Sequence, residues 1–86
     1  MSTHGIVLVA DDEERILKAL GRALREDGHE VVEATSGRAA QRLLAERAFD
    51  VLVVDNIMPD LTGVELVREL SQTVVAGERP QIVLMT

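Results

Sequence analysis

Three aspartates stand where carboxylate chemistry would be expected. Asp11 and Asp12 follow the apolar run Ile6-Val7-Leu8-Val9-Ala10, and Asp55 ends the run Val51-Leu52-Val53-Val54. A carboxylate at the end of a buried strand is costly unless something uses it. Three brought together also repel. At an effective dielectric of about 20, two unit charges about 4 Å apart cost about 4 kcal/mol. The cluster is tolerable if it is solvated, if one member is protonated, or if a divalent cation binds. Mg2+ suits the last case best. It is a hard cation that takes oxygen ligands, keeps several waters and commonly uses one or two carboxylates plus a phosphate.

The elements that must bring these residues together are legible from apolar periodicity. Both runs are continuously apolar, as in strands buried on both faces of a parallel sheet. His29-Glu30-Val31-Val32-Glu33-Ala34 is shorter and more mixed and reads as an outer strand, and Gln81 to Thr86 as a fourth strand. Three helices fall between them. The first carries Ile16, Ala19, Leu20, Ala23 and Leu24 on one face and Arg15, Lys18, Arg22 and Arg25 on the other. Its acids lie in the first turn, where the helix dipole favours them, and Gly28 takes the C′ position. Thr35 or Ser36 caps the second helix, whose stripe is Ala39, Ala40, Leu43 and Leu44, with Ala48 at its limit. Pro59 forbids continuation of the third strand and Gly63 marks the start of the next helix. Thr62-x-x-Glu65 is a capping-box pattern, followed by Leu66, Val67, Leu70 and Val74. Met1 to Gly5 reads as a disordered lead-in and Ala76 to Pro80 as a turn.

Strand and helix alternate with short connections, which predicts an α/β fold: a flavodoxin-like parallel sheet of order 2-1-3-4 with right-handed crossovers. The crevice then lies between strands 1 and 3, outside their carboxyl ends. Both strands deliver acid to it, Asp11 and Asp12 from one and Asp55 from the other.

Composition bounds the rest. At 86 residues the chain is expected to be a single domain over 1–86. It is 47% hydrophobic and 1% aromatic, so the core is aliphatic. The net charge of −6 argues against nucleic-acid contact by this segment and suits a cation site. There is no cysteine, hence no disulfide framework or thiolate metal site, which fits a cytoplasmic setting. The apolar runs are strand-length, short of a membrane span, and no secretory signal is seen. His4 and His29 lack metal spacing and read as surface residues.

Asp11-Asp12 after strand 1, Asp55 after strand 3, Met58-Pro59 with Gly63, and Thr86 at the end of strand 4 together resemble the receiver domain of two-component response regulators. The resemblance covers the whole chain. It implies that Asp55 accepts a phosphoryl group from a sensor histidine kinase. Mg2+ would be held by Asp12, Asp55 and the backbone carbonyl of Ile57, with Asp11 acting through water. Thr86 would contact the phosphoryl group, while Met58, Pro59 and Gly63 shape the loop. Such a domain is a signalling phosphoacceptor rather than an enzyme. A carboxylate needs no base to act as nucleophile, and a cation neutralises the phosphoryl oxygens.

The family's sheet has five strands, and here the fifth strand and last two helices are missing. With them go a lysine that pairs with the phosphoryl group and an aromatic switch residue; Lys18, the only lysine, falls in the first helix. Strand 4 becomes an edge with Ile82, Val83, Leu84 and Met85 in a row and no charge or proline to blunt it. Self-association through that edge is therefore expected. Two other classes share part of this pattern. A haloacid-dehalogenase-type phosphatase wants a second acid two residues after the nucleophile, where Ile57 stands. A phosphorylation-independent interaction or dimerisation module with receiver architecture is the serious alternative.

Overall fold

A computed structural model of the chain describes residues 5–73 and 80–85. The expected lead-in at residues 1–4, most of the turn, Val74 and Thr86 lie outside them. The elements alternate as β1 (Ile6–Ala10), α1 (Glu14–Glu26), β2 (Glu30–Ala34), α2 (Gly37–Glu46), β3 (Val51–Asp55), α3 (Gly63–Thr73) and β4 (Gln81–Met85). The four strands form one parallel sheet of order β2-β1-β3-β4.

The pleat divides the strand residues between two layers. Leu8, Ala10, Ala34, Leu52 and Val54 face α2 and α3 and join Ala40, Phe49, Met58, Leu61 and Leu66 in the larger cluster. Val7, Val9 and Val31 face α1 and pack on Leu17, with Leu20, Leu24, Val51 and Val53 around them. β1 is accordingly buried on both faces. β3 is not: Leu52 and Val54 are fully buried, but Val51 and Val53 on the α1 side are only half-buried. The expectation of a doubly buried strand 3 is corrected on that side, because α1 lies over β1 and β2.

The expected caps form. Ser36, rather than Thr35, caps α2, its Oγ accepting from the Ala39 N–H at 3.1 Å. Thr62 and Glu65 make the reciprocal box: Thr62 N–H donates to Glu65 Oε1 at 3.0 Å and Glu65 N–H to Thr62 Oγ1 at 3.1 Å. Gly28 follows α1 at φ 94°, a left-handed conformation that favours glycine.

Four local readings are corrected. On α1 the residues turned to the sheet are Leu17, Leu20, Gly21 and Leu24, while Ile16, Ala19 and Ala23 are exposed. The helix carries apolar residues over more than one face, so periodicity alone did not select the buried one. Ala48 lies beyond the end of α2 and is exposed. Gly5 belongs to the folded unit, its carbonyl accepting from the Glu30 N–H at 3.0 Å. His29 is not a surface residue: its side chain is half-buried, and Nδ1 accepts from the Gly5 N–H at 3.1 Å.

Candidate functional site

In a parallel sheet with short βα loops, every strand's carboxyl end and every helix's N-terminus share one end of the molecule. The three aspartates meet there. Carboxylate oxygens of Asp11, Asp12 and Asp55 all lie within 4.8 Å of one another. β1 and β3 are direct neighbours, with Ala10 opposite Val54, so the residues that end them are adjacent in space.

The three differ in setting. Asp11 is 2% exposed, Asp55 is half-buried and Asp12 is exposed. Asp11 Oδ1 accepts from the Glu13 N–H at 2.9 Å, which turns the chain into α1. Burial pushes the Asp11 carboxyl above its ordinary value. The Glu13 amide opposes that shift, while the charges of Asp55 and Asp12 add to it. Asp55 Oδ1 accepts from the Ile57 N–H at 3.1 Å, which fixes the plane of the carboxylate and tightens the turn after β3.

The loop after Asp55 is closely held. Asn56 donates its N–H to the Met85 carbonyl at 3.0 Å, and its Oδ1 accepts from the Val64 N–H at 3.1 Å, so it caps α3. Met58 is buried in the core, Pro59 is exposed, and Ile57 is 73% exposed beside Asp55. Gly63 packs on the strand end: a Cβ there would lie 2.7 Å from Leu84 Cδ1 and 3.0 Å from the Asp55 carbonyl oxygen. That close approach is the physical reason for a glycine. Of the predicted site residues, Asp11, Asp12, Asp55, Ile57, Met58, Pro59 and Gly63 thus gather at one end of the sheet. Thr86 lies outside the described residues. Met85, immediately before it, pairs with Asp55 across β3 and β4. Lys18 is directed elsewhere, its Nζ 3.8 Å from Glu33.

Sequence reasoning missed Asp60 and Gly37. Asp60 accepts from the Gly37 N–H at 3.0 Å and the Arg38 N–H at 2.9 Å, which holds its carboxyl below the ordinary value. The available signal was topological: any acid in a loop at this end can cap a neighbouring helix. No helix among the described residues is long and apolar enough to cross a membrane.

A family model described as the response regulator receiver domain matches residues 7–86. The chain is 39% identical over 79 residues to the transcriptional regulatory protein KdpE of Mycobacterium tuberculosis, covering 92% of this chain and 34% of that protein. It is 44% identical over 64 residues to the virulence sensor protein BvgS of Bordetella pertussis, covering 74% of this chain and 5% of that one. The chain thus spans about a third of KdpE and far less of BvgS. Among solved structures, the receiver domain of Francisella response regulator 1452 superposes with a TM-score of 0.85 at 29% identity, over 93% of this chain and 64% of that one. The chemotaxis response regulator CheY4 of Vibrio cholerae superposes with a TM-score of 0.79 at 34% identity, over 83% and 59%. With the strand order 2-1-3-4 and the paired acidic strand ends, these matches place the chain in the response regulator receiver domain family of two-component signalling.

Proposed function

We propose that this chain is a cytoplasmic phosphoacceptor that takes a phosphoryl group from a sensor histidine kinase onto Asp55. The observation that carries the reading is the convergence of Asp11, Asp12 and Asp55 from two adjacent strands to within 4.8 Å. Oxygen-only donors of this kind fit Mg2+, with Asp12, Asp55 and the Ile57 carbonyl as ligands and Asp11 acting through water. Bound there, the ion neutralises charge on the phosphoryl oxygens.

The chain's own residues do the rest. An oxygen of Asp55 attacks phosphorus in line, and the bond from phosphorus to the donor imidazole nitrogen breaks with its electron pair going to nitrogen. The product is an acyl phosphate on Asp55. The Ile57 N–H on Oδ1 orients the nucleophile. Thr86 would contact the transferred group, and Met58, Pro59 and Gly63 hold the loop. The test is intact mass after incubation with acetyl phosphate, with and without Mg2+, for the native chain and Asp55→Asn. The expected result is a single phosphoryl gain that needs both Mg2+ and Asp55. No gain by a folded native chain would remove the reading.

A second reading is favoured by one observation: Val83 and Leu84 on the edge strand β4 are 50% and 40% exposed. Two copies pairing through this edge would cover them. The module would then act by association, independently of phosphorylation. Light scattering at micromolar concentration, on native chain and Asp55→Ala, is expected to give a dimer mass for both. A monomer would exclude it.

A further inference from the structure

The loop carrying Asp55's neighbours is clamped to a helix that takes no direct part in the acidic cluster. The first N–H groups of α2 have no helical acceptors. Asp60 supplies two, Oδ1 to Gly37 at 3.0 Å and Oδ2 to Arg38 at 2.9 Å, while Ser36 Oγ serves Ala39. The helix dipole favours a carboxylate at this end. The backbones also touch. A Cβ on Gly37 would lie 2.6 Å from both the Cβ and the carbonyl oxygen of Leu61. Leu61 and Met58 are each 4% exposed, so the loop is anchored in the core on either side of Asp60. Between Asp55 and this anchorage lie only Asn56 and Ile57, and Ile57 is the residue whose carbonyl would serve as a ligand in the reading above.

We propose that Asp60 is a positioning residue for the acidic site: by seating the loop on the N-terminus of α2 it sets where the Ile57 carbonyl stands relative to Asp55. This rests on the phosphoacceptor reading and deepens it. The coupling runs both ways. If the clamp favours the bound cation, the cation tightens the clamp, and the first turn of α2 registers occupancy of the site.

The test is Mg2+ titration of isotope-labelled chain followed by backbone amide shifts, so that binding is read without any phosphoryl chemistry. The first arm uses the native chain and Asp55→Asn. If the folded native chain binds no Mg2+, the phosphoacceptor reading fails, and the inference with it. The second arm uses Asp60→Ala, Asp60→Asn, Gly37→Ala and Ser36→Ala. In the native chain the Gly37 and Arg38 amides are expected to move with the same midpoint as Ile57. Asp60→Ala and Gly37→Ala weaken Mg2+ by about tenfold, the usual size for a lost outer partner of a metal site. Asp60→Asn, which keeps one acceptor oxygen, loses less. Ser36→Ala removes an α2 cap without touching the loop and leaves the affinity within about twofold. Native affinity in Asp60→Asn and Gly37→Ala, or an equal loss in Ser36→Ala, would overturn the inference while leaving the phosphoacceptor reading standing. Asp60→Asn and Gly37→Ala keep the question answerable if Asp60→Ala fails to fold.

Discussion

Asp11 and Asp60 sit at the same end of the sheet and are treated in opposite ways. Asp11 is buried, receives one amide and faces two other carboxylates, and its pKa is raised. Asp60 is exposed, receives two amides from the start of a helix, and its pKa is lowered. Sharing one end of the sheet does not decide whether a carboxylate is a burden; burial first, and then the balance of amide donors against like charges, does. One aspartate is held in a state that a cation would relieve. The other is already satisfied and serves as a fastener.

The largest effect should come from crowding the fastener. Gly37→Ala forces a Cβ against the Leu61 backbone and is expected to cost about 1–3 kcal/mol in denaturant unfolding. Next, Asp11→Asn should raise stability by about 1 kcal/mol in Mg2+-free buffer. Its amide oxygen can still accept from the Glu13 N–H, while the buried charge is gone. That gain should shrink in saturating Mg2+, and a loss of stability without Mg2+ would contradict the contrast drawn between the two residues.

The smallest effect is the pH profile, and its sign separates the two. The lowered carboxyls of Asp60 and Glu65 add stability above the ordinary carboxylate range and lose it as the pH falls through their folded values. The raised carboxyl of Asp11 works the other way. The fold binds its proton more readily than the unfolded chain does, so acidification relieves it. Urea unfolding between about pH 3 and 7 should therefore fall less steeply with acid in Asp60→Asn than in the native chain, and more steeply in Asp11→Asn.

The contrast also marks what the sequence could reveal. Ile6–Ala10 and Val51–Asp55 were legible because a continuous apolar run has few alternatives, and their adjacency follows from parallel topology. The acidic cluster was legible for the same reason, each aspartate being fixed to a strand end. The Thr62–Glu65 cap was visible because its partners are three residues apart. Asp60 was not, since its partners Gly37 and Arg38 come from another loop and no local spacing announces them. The face of α1 was misread because Ile16 and Leu17 are adjacent and equally apolar. Only the placement of the helix over β1 and β2 makes Leu17 the buried one.

The central position of β1 has a consequence for how the chain is made. β1 is synthesised before both of its partners, pairing with β2 on one edge and with the much later β3 on the other. At roughly 5–20 residues per second, the ribosome takes a few seconds to deliver the second partner. During that interval β1, α1 and β2 can associate, but one edge of the most apolar strand stays open. Completion of the acidic site therefore coincides with closure of this edge. A nascent chain that stalls before Asp55 would offer the quality-control machinery a bare strand, and one that passes it would withdraw that strand and assemble its acidic cluster in the same event.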